Sequence, residues 1–257
     1  MALGPVSQSF LKEAEAVTGL PVQVQSDAGL QPPLLAPVQV ARGGVPLHQV
    51  MYHPNVIGMA DYLIAVQCSF VLRLYALPAE QRFALTDTPA ASAESLAWAK
   101  AHPASASLPH ERQIAFAEFL RTSLMSMLRS IPMGLWIDQD LRERFPTLRD
   151  SQEQAIRRQI ETHAGLLRPE LQQNVPRVPL ALNFAINAAF AKFWGGVLGE
   201  TGWTLPYFAV GALSRGKSLL HRSEELSPAP AKDRRVIQAW ADELGLGGWI
   251  QWTPYRP

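Results

Sequence analysis

The run ADYLIAVQCSFVLRLY, Ala60 to Tyr75, constrains the fold more than any other stretch. Leu63, Val66, Phe70 and Leu74 recur at helical spacing, and Tyr62, Cys68, Val71 and Leu72 fill the positions between them. A helix apolar on most of its circumference must be surrounded, so it belongs at the centre of a packed core. Its polar exceptions fall where a helix tolerates them. Asp61 is near the start and Arg73 near the end, as the macrodipole prefers. Gln67 stands mid-helix among apolar neighbours and is expected to hydrogen-bond a strand or loop backbone. Cys68 then reads as a small buried hydrophobe rather than a nucleophile.

The rest of the chain can supply such a core. Of 257 residues, 47% are hydrophobic and 18% charged, which fits one large domain or two small ones. Net charge is +1, which gives no bulk attraction to nucleic acid or anionic lipid. A single cysteine excludes an internal disulfide and any multi-cysteine metal site, and suits the cytoplasm. MALGPVSQSFLKEAEAV lacks the basic start and long apolar run of a signal peptide. The most membrane-like segment, Leu180 to Gly199, contains Asn183, Asn187 and Lys192. Lys192 alone costs roughly 3 kcal/mol in lipid, so a buried core helix is the reading and no membrane is expected. Asn183 and Asn187 share one face of that helix, where they lock neighbouring helices or line a polar cavity.

Around the central helix, expected from about Val56 to Leu77, the pattern changes. A helix over Ser9–Val17, capped by Ser7 or Ser9 and ended by Gly19, precedes three strand-like runs at 21–26, 37–42 and 48–53. Val22 and Val24 alternate with glutamines, as do Val38 and Val40, while Pro32, Pro33, Pro37, Gly43, Gly44 and Pro46 punctuate. Residues 78–109 turn to Ala, Ser, Pro and Thr and read as a linker around one short helix at 93–101. Beyond it lie helical segments at 110–130, 134–144, 147–168, 178–198, 206–225 and 231–244. The turn around Pro132 and Gly134 is expected to join two of them, with Trp136 plugging the junction. The fold expectation is α+β, mostly α. A small N-terminal three-stranded sheet packs on helices (1–77), followed by the linker (78–109) and a helical region (110–257). The aromatic tail, Trp249, Trp252 and Tyr255, is expected to dock on the body or on a partner.

The order helix, small sheet, helix over about residues 7–77 resembles the core of a zincin, specifically the ImmA/IrrE-type metallopeptidase-like domain. There the second helix carries H-E-x-x-H, two histidines on one face for Zn²⁺ and a glutamate as general base. The matching run here is Ala65 to Leu72. Val66 and Phe70 stand at the histidine positions and Gln67 at the glutamate position. Valine and phenylalanine cannot bind zinc, and an amide cannot act as a base. The resemblance therefore implies a degenerate site with no catalytic residue, no metal and no cofactor. It also implies a bacterial stress-response or defence setting.

Other chemistry is sparse. His48 and His53 flank a strand and, with Asp61 and Cys68, are the residues that could share the cleft. HERQI at 110–114 fails as H-E-x-x-H because Ile114 stands at the last position. His102, His163 and His221 read as isolated surface residues. SRGKSLL at 214–220 contains G-K-S without the first P-loop glycine. Arg142, Arg149, Arg157 and Arg158 form a basic run that could meet phosphate or an acidic partner, although Glu143, Asp150 and Glu153 interleave with it. The leading expectation is a non-catalytic interaction or regulatory subunit with a protein partner. The alternatives are a nucleic-acid-associated protein using the arginines, and an enzyme with a non-standard site near His48, His53 and Cys68.

Overall fold

The computed structural model describes residues 3–30, 36–226 and 228–257. About 70% of the chain is helical and 10% strand, so the fold is α+β and mostly α. In chain order the elements begin with α1 (Pro5–Thr18), β1 (Val22–Ser26), β2 (Val38–Gln39), β3 (His48–Tyr52) and α2 (Ala60–Tyr75). Then come β4 (Phe83–Asp87), α3 (Pro89–Ala101), α4 (Pro103–Ala106), α5 (His110–Arg144) and α6 (Arg149–Gly165). The remainder are α7 (Pro169–Gln172), α8 (Arg177–Leu198), α9 (Leu205–Ala209), α10 (Leu213–Glu224), α11 (Asp233–Glu243) and β5 (Ile250–Pro254).

The chain forms two compact units, and their boundaries differ from those read in the sequence. The first comprises the chain up to Ala84 with Trp136–Thr162 and Thr253–Pro257. The second comprises Leu85–Leu135 and His163–Trp252.

In the first unit, helix α1 starts at Pro5, with Gly4 at the cap position and no capping side chain of its own. Neither Ser7 nor Ser9 caps it. Instead the Ser7 backbone N–H donates to Asp61 Oδ1 at 2.7 Å, so a carboxylate on α2 satisfies a donor that the first turn leaves open. A Cβ at Gly4 would run into the Asp61 carboxyl, so any larger residue there must displace that side chain. Gly19 ends the helix at φ +69°, as its position suggested. The three-stranded sheet has the order β1-β3-β2. β1 runs parallel to β3, with Val24 opposite Val50, and β2 runs antiparallel to it, with Val38 opposite Val50. The run expected at 37–42 pairs with β3 only at Val38 and Gln39, because a tight turn over Gly43 and Gly44, both at positive φ, bridges Arg42 to Val45. Pro32 and Pro33 lie outside the described residues. The core gathers Phe10 and Ala14 of α1, Val50 of β3, Ile64, Ala65, Val66 and Cys68 of α2, and Ile137, Leu141 and Leu148 from beyond.

In the second unit, residues expected to form a linker are ordered elements. Thr88 caps α3 through its Oγ1, Pro89 takes the first turn, and the small residues Ala91, Ser95 and Ala99 form the buried face. Helix α5 runs unbroken through Pro132, where a turn was expected. Buried Leu128 and Ile131 before the proline and Leu135 after it hold the helix despite the lost hydrogen bond. α8 is the central helix, and α10 packs closely on it. A Cβ at Gly216 would come within 2.7 Å of Ala188 Cβ and 2.8 Å of the Ala189 nitrogen. The glycine of the G-K-S triplet therefore serves helix packing. Pro54–Tyr75 is, among the described residues, a helical run long and apolar enough to cross a membrane, and half of it is buried in the protein.

Candidate functional site

The three positions that the sequence resemblance set against the metallopeptidase motif sit on α2. Val66 is buried in the core, while Gln67 and Phe70 are half-buried. No hydrogen bond from Gln67 to a strand backbone occurs among the described residues. Cys68 is fully buried, and its enclosure, with Glu15 as a lesser cause, pushes the thiol up to about 12. Such a thiol carries almost no thiolate near neutral pH.

The expected cleft residues are not brought together. Asp61, in the first turn of α2, is engaged by the N-terminus of α1. His53 accepts from the Asn55 N–H at 3.1 Å through Nδ1 and so caps the short 3-10 turn before α2. His48 lies against Tyr75, at the opposite end of α2 from Asp61, with ring centroids 5.6 Å apart and edge to face. Fourteen helical steps separate Asp61 from Tyr75, about 21 Å at the usual rise. Among the described residues no group of three or more His, Cys, Asp or Glu is placed to hold a metal ion.

What the fold does assemble lies at the C-terminal end of α2. His48 is fully buried, its Nδ1 accepts from the Ala41 N–H at 3.0 Å, and burial lowers its pKa, so the ring is held neutral. Tyr75 Oη meets Tyr255 Oη at 3.2 Å, and Tyr255 donates in turn to the Ala41 carbonyl. Arg82 lies over the Tyr75 ring at 4.3 Å. Its Nε donates to the Leu77 carbonyl at 2.8 Å and its Nη2 to the Tyr75 carbonyl at 3.2 Å, which satisfies acceptors left open where α2 ends. Tyr75 and Arg82 wall an open cleft of ≈ 360 Å³, completed by Thr18, Leu20, Gly44, Val45, Pro46 and Pro257.

A second polar cluster ties α2 to α5 and α6. Tyr62 donates to Asp138 Oδ1 at 2.7 Å, and Gln152 donates to the Asp138 carbonyl at 2.7 Å. Arg142 donates to Gln152 Oε1 at 3.3 Å. Burial raises the Asp138 carboxyl to about 7, against the Tyr62 hydrogen bond, which favours the ionised form. Reading the sequence missed this group. Its signal was an acid framed by Ile137 and Leu141 in WIDQDL.

Most of the other expected contact residues are engaged within the chain. Arg149 donates to the Arg142 carbonyl at 3.1 Å, Arg157 pairs with Glu153 at 2.9 Å, and Arg158 is half-buried. In the tail, Trp249 is buried, stacks on Trp98 at 4.9 Å and donates to Glu94 at 2.6 Å. Trp252 donates to Gln238 at 3.2 Å and carries Arg234 over its ring, and Tyr255 is buried. These aromatics dock on the chain's own body, the first of the two expected outcomes. His163 is buried rather than on the surface, edge-on to Phe190, and enclosure drops it to about 4.

No protein-family model, curated protein or solved structure matches the chain.

Proposed function

We propose that this chain is a non-catalytic interaction or regulatory subunit that binds a protein partner. It is built on a metallopeptidase-like unit whose ligand positions hold core residues, and it works in the cytoplasm in the bacterial stress-response or defence setting that the resemblance implies. The order α1, three strands, α2 and the burial of Val66 in the core support the first part of that reading.

One observation carries the partner. Leu205 is 66% exposed and Phe208 71% exposed on the one-turn helix α9, with Val210 just beyond it also in solvent. Tyr207 is the buried residue that fastens α9. Large apolar side chains grouped in this way on a surface mark a contact surface more often than isolated ones do.

The test compares the tagged wild-type chain with the Leu205→Asp/Phe208→Asp double variant. Each is purified from the native host in mild salt after nuclease treatment. One protein recovered in near-stoichiometric amount with the wild type and lost with the variant supports the reading. Both substitutions sit in solvent, so the thermal transition of the variant should match the wild type. Recovery of the wild-type chain alone, or equal recovery with both, overturns it. A nucleic-acid role for the 141–158 arginines would instead show binding that falls steeply with salt and is lost in an Arg157→Glu/Arg158→Glu variant.

A further inference from the structure

We propose that the cleft walled by Tyr75 and Arg82 is a binding site for a small monocarboxylate with an apolar body. The argument starts from how Arg82 is held. A guanidinium offers its N–H groups along two edges of a rigid plane. Here the Nε–Nη2 edge is spent on the carbonyls of Leu77 and Tyr75 at the end of α2. One face is covered by the Tyr75 ring at 4.3 Å. These contacts fix the plane and leave the Nη1–Nη2 edge, a paired fork whose spacing matches the two oxygens of a carboxylate. Because the side chain is already immobilised, an anion meeting that edge need not order it again.

The cleft that Arg82 lines suits such a ligand. At ≈ 360 Å³ it falls in the size range of small-molecule pockets. Leu20, Val45, Pro46 and Pro257 give it apolar walls, and the Thr18 hydroxyl at its edge is turned to the Leu20 backbone. Arg82 is the one charged side chain among the described lining residues. A single fork matches one carboxylate, whereas a phosphate gathers further cations or backbone donors. Tyr75 itself is braced from behind by His48 and Tyr255, so the aromatic wall is rigid.

The experiment uses the full chain and two probes of one shape, benzoate and its neutral counterpart benzamide, followed by NMR. Benzoate should give saturable shifts at Arg82, Tyr75 and Val45, and bind about tenfold tighter than benzamide, as a charge-assisted pair predicts. Arg82→Met should abolish the preference, but it also uncaps α2. Val45→Glu is therefore the second variant. Val45 is 46% exposed and lines the cleft without touching the cap, so a carboxylate there should repel benzoate while the fold is kept. Equal affinity for the two probes, benzoate shifts mapping elsewhere, or unchanged benzoate binding by Val45→Glu would each overturn the proposal.

Discussion

Asp138 and His163 are buried ionisable side chains whose enclosure disfavours charge, and they titrate against each other. The Asp138 carboxyl moves from the ordinary 3.8 to about 7. Between those values the folded chain keeps a proton that the unfolded chain has released, so this group's stabilisation is complete below about pH 4 and is lost as pH rises toward 7. His163 moves the other way, from 6.5 to about 4. In that interval the unfolded chain holds the extra proton, so stability from His163 rises with pH and is lost as pH falls toward 4. Each slope is on the order of 1.4 kcal/mol per pH unit, and across the shared window the two oppose. Asp138→Asn should therefore show stability that climbs more steeply with pH than the wild type, read from urea midpoints at about pH 4.5 and 6.5. His163→Leu should show the reverse. Parallel profiles for wild type and Asp138→Asn would mean that the carboxyl is already ionised in the fold. Only part of this was legible at the residue level. An acid between Ile137 and Leu141 was visible as a pattern, but its partner Tyr62 lies far away in sequence, and burial is a property of the fold. His163, flanked by Glu161 and Thr162 on one side and by Ala164 and Gly165 on the other, sits in no pattern that marks enclosure.

Elements were read well where one local rule decided them, and badly where distant packing overrode it. The apolar circumference of Ala60–Tyr75, the valine–glutamine alternation at 21–26 and the glycine after α1 each specify a structure by themselves, and each is present, whereas the same alternation at 37–42 forms a strand only at Val38 and Gln39. Pro132 is a helix breaker by local rule, yet α5 continues through it, because buried residues on both sides are worth more than one missing hydrogen bond. The Ala- and Ser-rich stretch after residue 78 reads as a linker around one short helix at 93–101, and that helix is part of the longer α3, which buries small residues that permit close approach. The same logic explains Gly216, where backbone and Cβ atoms of α8 occupy the space of any side chain. Gly216→Ala should destabilise by about 1–3 kcal/mol, since the obstruction is backbone that cannot swing aside. Gly196 is the control. It is also helical, but a Cβ there would meet nothing within 4 Å. Gly196→Ala should stabilise by roughly 0.5–1 kcal/mol through the lower entropy of the unfolded chain. Thermal or urea unfolding of the two variants checks both signs, and a neutral Gly216→Ala would show that α10 can shift away from α8.

The division of the molecule was the least legible feature, because a unit assembled from separated stretches leaves no mark at any one boundary. Composition shifts at residue 78 suggested a self-contained N-terminal domain, yet the core of that unit is completed by Ile137, Leu141 and Leu148. The polar side of the same unit is also finished from afar. Tyr62 is satisfied by Asp138, Tyr75 by Tyr255, and the end of α2 by Arg82. A polypeptide of residues 1–77 therefore loses core volume, leaves Tyr62 without its acceptor and frays α2 at its C-terminus. Each loss is worth on the order of 1–3 kcal/mol, and together they consume the few kcal/mol by which a small unit is stable. The fragment should show no cooperative thermal transition and no protection of the α2 amides in hydrogen exchange, while the full chain protects them. A cooperative transition in the 1–77 fragment would restore the contiguous domain that composition suggests. It would also mean that α1, the sheet and α2 pack without help from α5 and α6, as a free-standing metallopeptidase-like unit must.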